Sequence, residues 1–209
     1  MGEYKPSRGN YAGSTEVGEQ TTDTHIFTGS VLISGTLGVT SDITSSGAYN
    51  GVFHYESSAT DPTTPTPSDG DRYYNTSLGM EMRYDSTRSK WLSVEVGQFD
   101  FGRKGNTAAG SYYKGLDSLA YSDADGRVLE YGGTIVSISY TRSDIDSAVF
   151  QVTVDGNEEA FISSSASSGY DISLNSDFSQ GSIMAARNKS GGNTTKDVAG
   201  TVRFKWRAT

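Results

Sequence analysis

The fold is decided by a stretch in the second half of the chain, Tyr131-Gly-Gly-Thr-Ile-Val-Ser-Ile-Ser-Tyr140. Two further stretches continue the pattern, Ala148-Val-Phe-Gln-Val-Thr-Val-Asp-Gly156 and Phe178-Ser-Gln-Gly-Ser-Ile-Met-Ala-Ala-Arg187. β-Branched and aromatic residues recur in these stretches, and glycine and aspartate turns lie between them, which is typical of short strands joined by turns. The sequence therefore predicts an all-β domain around them.

Working outward, residues 99–209 are predicted to form a C-terminal β-sandwich of the jelly-roll type, with about eight short strands at regular spacing. The clear strands are predicted at Thr134–Thr141, Ala148–Asp155, Glu159–Ile162, Ser182–Arg187 and Gly200–Arg207. Weaker strands are predicted near Ser111–Lys114, Arg127–Tyr131 and Tyr170–Leu174. On the last strand, Phe204 and Trp206 alternate with cations and are expected in the core.

Residues 72–98 are predicted to form a small β-meander with a face of aromatic side chains around Trp91. Its strands are expected at Arg72–Asn75, Met80–Tyr84 and Lys90–Glu95, with polar turns between them. The preceding segment, residues 56–71, contains three of the four prolines. Because proline cannot donate to a strand ladder, this segment is predicted to be an extended, polyproline-like linker.

Residues 25–55 show a period of two that predicts a short β stalk of helical or prism-like form. Apolar side chains fall on odd positions, and we expect them to form the stalk core of a homotrimer: Phe27, Val31, Ile33, Leu37, Val39 and Ile43. One such segment cannot bury its own apolar edge, whereas three chains around an axis could. An ordinary edge hairpin is the alternative interpretation.

Residues 1–24 are polar and show no periodicity, which suits either a disordered tail or an extended anchor. As an anchor, the segment would dock on a capsid, neck or tail protein through Tyr4, Pro6 and Tyr11. We find no apolar core of a signal peptide at the N-terminus and no apolar run long enough to span a membrane, so no membrane insertion is expected.

The composition favours burial between identical chains. Only 34% of the residues are hydrophobic, and the 25 glycines bury almost nothing. A net charge of −8 argues against nucleic acid as a partner, because phosphate binding depends on lysine and arginine. The absence of cysteine excludes disulfides, thiolate metal sites and a cysteine nucleophile.

Candidate catalytic groups are sparse, and no enzyme activity, cofactor or metal is predicted. The two histidines, His25 and His54, lie in the stalk segment and are interpreted as surface or interface residues. Two aspartate pairs, Asp123 with Asp125 and Asp144 with Asp146, have the alternating oxygens that suit calcium. Neither pair continues into a complete calcium loop, and such turns usually bond their own backbone.

Carbohydrate recognition is the strongest binding alternative, because lectin-like sites pair aromatic rings with polar groups. The candidate glycan or receptor contacts are Tyr112, Tyr113, Tyr121 and Tyr170, which fall in predicted loops or at weak strand ends. Tyrosines that are buried in the core or in an interface explain the same residues.

Two parts of the chain resemble known families. The runs Gly70-Asp-Arg-Tyr-Tyr-Asn-Thr-Ser77, Met82-Arg-Tyr-Asp85 and Lys90-Trp-Leu-Ser-Val94 resemble the small β-meander module of bacteriophage fibre and tail proteins. The three stretches quoted first are similar, in strand order and turn placement, to trimeric heads of the C1q and tumour-necrosis-factor type. This second resemblance implies a jelly roll that trimerises through an aromatic and aliphatic seam.

Together these features predict a non-enzymatic structural protein of a bacteriophage virion. We expect a trimeric head fibre or a capsid or neck decoration protein that displays its C-terminal heads outward, made in the host cytoplasm and released on lysis. The alternative is a tail-fibre tip that attaches to a host receptor or surface glycan.

Overall fold

The structure, a computed structural model, describes residues 57–63, 66–115, 121–122, 125–144, 148–189 and 193–208. Of the two compact units into which the chain divides, Met1–Gly51 and Val52–Thr209, the described residues all belong to the second. They form thirteen strands and no helix, so the all-β class is confirmed for this part of the chain. A helix able to cross a membrane is accordingly absent from the described residues.

The first four strands form one sheet, in which the last three lie where the meander is predicted and the first lies in the predicted linker. They are β1 (Ser57–Ser58), β2 (Arg72–Asn75), β3 (Met80–Asp85) and β4 (Lys90–Ser93), paired in that order. Aromatic and methionine side chains alternate inward and form a small core of Tyr73, Met80, Met82 and Trp91. β1 runs parallel to β2, so the described part of the predicted linker is attached to the meander.

Five strands make the first sheet of the C-terminal part. They are β5 (Gly97–Thr107), β7 (Gly133–Thr141), β10 (Ser168–Asp171), β11 (Ser176–Phe178) and β13 (Thr195–Trp206). The order across the sheet is β10, β7, β13, β5, and β11 pairs with the start of β7. All these pairings are antiparallel.

The second sheet contains β6 (Arg127–Val128), β8 (Ala148–Val154), β9 (Asn157–Ser164) and β12 (Ile183–Asn188), in the order β6, β12, β8, β9. Apolar side chains from both sheets form one buried cluster, with Phe150, Val152, Val202 and Phe204 among its members. Two antiparallel sheets that share a core are consistent with a β-sandwich. Trp206 packs against this core and against the meander core.

The predicted strands are largely confirmed, with shifts at their ends. The largest difference is β13, which begins at Thr195 rather than Gly200 because its first residues pair with β5. The predicted strand near Ser111–Lys114 forms only isolated bridges at Tyr112 and Lys114. Phe204 is buried, as expected, and Trp206 is half-buried.

The eleven-residue strand β5 was not predicted from the sequence. Its apolar content is only Phe99 and Phe101, and three glycines interrupt the pattern. The strand is stabilised by its ladder with β13, which runs from Thr195 opposite Thr107 to Phe204 opposite Gly97. Pairing with a partner distant in the chain therefore outweighs weak local propensity here.

Candidate interaction face

The outer sheet face, defined as the side of the β10-β7-β13-β5 sheet turned away from the core, has a polar centre. One row across it consists of Tyr170, Ser139, Thr201 and Asp100, each paired in register with the next. The Thr201 hydroxyl donates to Asp100 Oδ1 at 2.7 Å. These small hydroxyl side chains leave two broad hollows on the face, of about 870 and 480 Å³.

Exposed apolar side chains lie on the rim of this face. Tyr170 is 75% exposed, Ile172 is 68% exposed and Val96 is 52% exposed. Ile172 and Val96 line the smaller hollow together with Val136. Singly exposed apolar residues are ordinary, and it is their position beside a hollow that makes Ile172 and Val96 candidates for contact with a partner.

The outer sheet face is cationic, although the whole chain carries a net charge of −8. The described cations that line its two hollows are Arg88, Arg103, Lys104, Lys114, Arg203 and Lys205. Asp85 and Asp100 are the carboxylates among the described lining residues, and both are already hydrogen-bonded. Burial lowers the pKa of Lys205. The face is therefore suited to an acidic partner.

Arg88, in the turn between β3 and β4, connects the meander to the edge of this face. Its Nε donates to the carbonyl oxygen of Leu174 at 2.8 Å, and its Nη2 donates to the carbonyl oxygens of Ile172 and Val136 at 2.9 and 3.2 Å. Its Nη1 bonds Asp85 Oδ2 at 2.7 Å. Burial raises the pKa of Asp85, but the hydrogen bonds and charge of Arg88 outweigh burial and lower it.

Beside this junction, Asp177 holds two further cations. Lys90 Nζ lies 2.6 Å from Asp177 Oδ1, and Arg207 Nη2 lies 3.5 Å from Oδ2. The Thr134 hydroxyl donates to Oδ1 at 2.7 Å. Burial raises the pKa of Asp177, and these hydrogen bonds and charges lower it by more, so that the net direction is downward. The carboxylate links β4, β7 and the end of the chain.

The four tyrosines nominated as glycan contacts lie in different environments. Tyr113 is 1% exposed and stacks on Phe150, with centroids 5.5 Å apart, and burial raises its pKa to about 12. Tyr121 is also buried and packs edge-on against Phe101. Neither ring has the accessible surface that a glycan platform needs, so both fit the alternative of a core tyrosine.

Tyr112 is half-buried, and its hydroxyl accepts a hydrogen bond from Arg187 Nη1 at 3.0 Å. Tyr170, the fourth nominated ring, is the exposed one on the outer sheet face. The structure does not bring these two tyrosines together, because one lies beside β12 and the other on β10. Glycan binding by either tyrosine stays a prediction.

Several other nominated residues lie outside the described part of the chain. They include the candidate anchor contacts Tyr4, Pro6 and Tyr11 and the candidate stalk core, Phe27, Val31, Ile33, Leu37, Val39 and Ile43. His25, His54, Asp123 and Asp146 also lie outside it. Among the residues that are described, no group of three or more metal-ligating side chains is found, and Asp144 lies 3.3 Å from Arg142 Nε.

Arg88, Val96 and Ile172 were not identified from the sequence as functional candidates. Arg88 occurs in a polar turn, where an arginine is ordinary, and the valine and isoleucine occur as isolated apolar residues. Nothing in their local pattern marks them, because their importance depends on which strand edge each one meets. The alternation of Val96, Gln98 and Asp100 could have predicted a shared face had β5 been recognised.

Comparison with known proteins adds no identification. No protein-family model, no curated protein and no solved structure matches this chain.

Proposed function

We propose that this protein is a non-enzymatic structural subunit of a bacteriophage virion, a trimeric head fibre or a capsid or neck decoration protein. The observation that carries the proposal is the outer sheet face, which exposes Tyr170, Ile172 and Val96 around a concave, cationic surface. A second copy of this chain is the occupant that fits best. The chain is acidic overall, so another part of its surface offers the complementary charge.

A cyclic trimer suits this arrangement better than a two-fold dimer. In a ring, one patch of each subunit meets a different patch of the next, so a basic face can contact an acidic one. Exposed carboxylates lie outside this face at Glu130, Asp155 and Glu158, of which Glu158 pairs with Lys189 at 2.7 Å and Asp155 accepts from the Ile183 backbone N–H. A two-fold axis through the outer sheet face would instead place Arg203 and Lys205 against their own copies, and like charges repel.

The strand pairing supports a jelly roll in the C-terminal part. If β11 is set aside, the eight sandwich strands pair from the ends inward: β5 with β13, β6 with β12, β7 with β10 and β8 with β9. A long antiparallel ribbon wound into two sheets produces this nested pattern, which is the arrangement of a double Greek key. The proposed trimeric head is built on this topology.

We expect the purified full-length chain to have a solution mass near three times 22.3 kDa. Replacing both Tyr170 and Ile172 by serine should release monomers, because the change removes the two most exposed apolar side chains of the interface. Light scattering coupled to size exclusion would measure both masses at the same protein concentration.

The matched control is Tyr74→Ser, which removes an aromatic ring of 44% exposure from β2 of the meander, outside the two sheet faces that the proposed trimer brings together. This variant should remain trimeric. A monomeric full-length protein would refute the trimer, and a trimeric double variant would place the interface elsewhere. Far-UV circular dichroism of each variant would verify that the strands are retained.

The proposal assigns residues 1–24 to attachment on a particle protein. We expect a chain that lacks these residues to remain a trimer but to be absent from purified virions, because its anchor is missing. Immunogold labelling of particles assembled with the truncated chain would measure incorporation. Normal labelling would refute the anchor without affecting the trimer.

A receptor-binding tip is the second candidate function, and the 75% exposure of Tyr170 favours it. An accessible aromatic ring beside cations can stack on a sugar or contact a host protein. The solution mass separates the two candidates, because the proposed trimer buries this ring and a monomer leaves it free.

A further inference from the structure

A separate groove lies where the meander meets the end of the chain. Its volume is about 410 Å³, which is within the usual range for small-ligand sites. Its walls include Pro62, Pro67, Tyr84 and Trp91. The groove is therefore bounded by aromatic rings and by proline. Trp91 is only 7% exposed, so the ring that a ligand could cover is that of the half-buried Tyr84.

The aromatic wall is held in place by its neighbours. Trp91 Nε1 donates to the carbonyl oxygen of Pro62 at 3.0 Å, which ties the segment before β2 to the ring edge. Tyr73 and Tyr84 pack edge-on against the same indole, with centroids 5.0 and 5.3 Å away. Because these contacts exist without any ligand, the wall is organised in advance of binding.

Arg207 supplies an unused donor to this groove. Its Nε is buried and has no hydrogen-bond partner among the described residues, although its backbone N–H donates to the carbonyl oxygen of Gly132 at 2.9 Å. Its Nη2 reaches Asp177 only at 3.5 Å. A buried donor without a partner is unfavourable. The side chain as a whole is 30% exposed, which gives a ligand oxygen access to the guanidinium group.

Asp61 lines the groove and supplies an acceptor. Its Oδ1 accepts a hydrogen bond from the Tyr73 hydroxyl at 2.5 Å, and no described residue donates to its Oδ2. Burial raises the pKa of Asp61, with the Tyr73 hydrogen bond acting against that shift. A hydroxyl group of a ligand could donate to the second oxygen, as sugar hydroxyls do at carboxylates.

We propose that this groove binds a carboxylate-bearing sugar residue, such as a uronic acid unit of an acidic polysaccharide. The carboxylate accepts from Arg207, a ring hydroxyl donates to Asp61, and the apolar face of the sugar ring packs on the half-buried Tyr84. Lys90 also lines the groove, with its Nζ held 2.6 Å from Asp177 Oδ1. A simple fatty or aromatic acid would leave Asp61 Oδ2 without a donor, and a neutral sugar would bring no second anion to Arg207, whose Nη2 lies 3.5 Å from Asp177.

The test is a calorimetric titration of the full-length protein with two matched probes, methyl glucuronoside and methyl glucoside. They differ only in that a carboxylate replaces the CH₂OH group. We expect the glucuronoside to bind with a dissociation constant of about 1 mM or tighter, and the glucoside at least about ten-fold more weakly. Equal affinity for both probes would overturn the proposal, and so would no binding of either at about 10 mM.

Two variants test whether the preference for the glucuronoside over the glucoside depends on Arg207. Arg207→Gln should abolish the preference for the glucuronoside. The matched control Arg83→Gln removes the same charge from an exposed position on the meander and should leave the preference unchanged. Loss of the preference in both variants would show long-range charge rather than a site, and would overturn the assignment. The wild-type comparison of the two probes needs no variant to fold, and its outcome is independent of the solution mass.

Discussion

Replacing Phe204 by alanine is expected to lower the free energy of unfolding by about 3–5 kcal/mol. The side chain is 1% exposed, and its ring lies within 4.8–5.7 Å, centroid to centroid, of Phe99, Phe178 and Trp206. It also covers Gly97, where any side chain would overlap the ring. Truncation would therefore leave a cavity at the point where β5, β11 and β13 meet.

Chemical denaturation at a fixed protein concentration would measure this loss, since oligomerisation makes stability depend on concentration. Phe161→Ala is the matched control, because it removes the same ring from a half-exposed position and should cost less than about 1 kcal/mol. If Phe204→Ala lowered the free energy of unfolding by less than Phe161→Ala did, the aromatic cluster around Phe204 would not be a main source of core stability.

Replacing Arg88 by alanine is expected to cost about 2–4 kcal/mol and to loosen the meander from the sandwich. One guanidinium group donates to three backbone carbonyl oxygens, those of Leu174, Val136 and Ile172. Its side chain is only 15% exposed, so water cannot fully replace it. Removal leaves those acceptors and Asp85 without their charged donor.

Amide hydrogen exchange would locate the effect, with faster exchange in β3 and β4 than in β8 and β12. Arg83→Ala is the control on the same strand system, since its side chain is 50% exposed and its ion pair with Asp69 is 3.7 Å long. Arg88→Lys should recover only part of the loss, because an ammonium group cannot reproduce the planar fork of donors. If amide exchange in Arg88→Ala were unchanged in all strands, Arg88 would not hold the meander against the sandwich.

The local sequence pattern was sufficient to predict the positions of most strands. Thr134–Thr141 and Ala148–Asp155 were predicted within one residue of β7 and β8, because β-branched and aromatic residues dominate both and turn residues bound them. The meander was predicted as well, since its Tyr, Met and Trp residues alternate on one face. By contrast, β5 was missed because its stability comes from a partner about a hundred residues away in the chain.

The residues of the candidate sites were harder to predict from the sequence than the strands were. Tyr113 and Tyr170 are both tyrosines in weakly predicted segments, yet one is 1% exposed and the other 75% exposed. Composition cannot distinguish them, because burial depends on which sheet covers the ring. Arg207 and Asp61 are far apart in the chain and line one groove only after the end of β13 packs beside the meander.

The sequence by itself determined the all-β class of the described residues, most of their strand positions and the absence of cysteine, because these depend on local periodicity and composition. Only the tertiary structure decided the nested pairing of the strands, the concave cationic face and the groove beside Trp91. Each of those features is formed by residues from distant segments, and their distance in space is set by backbone pairing and core packing rather than by their local sequence.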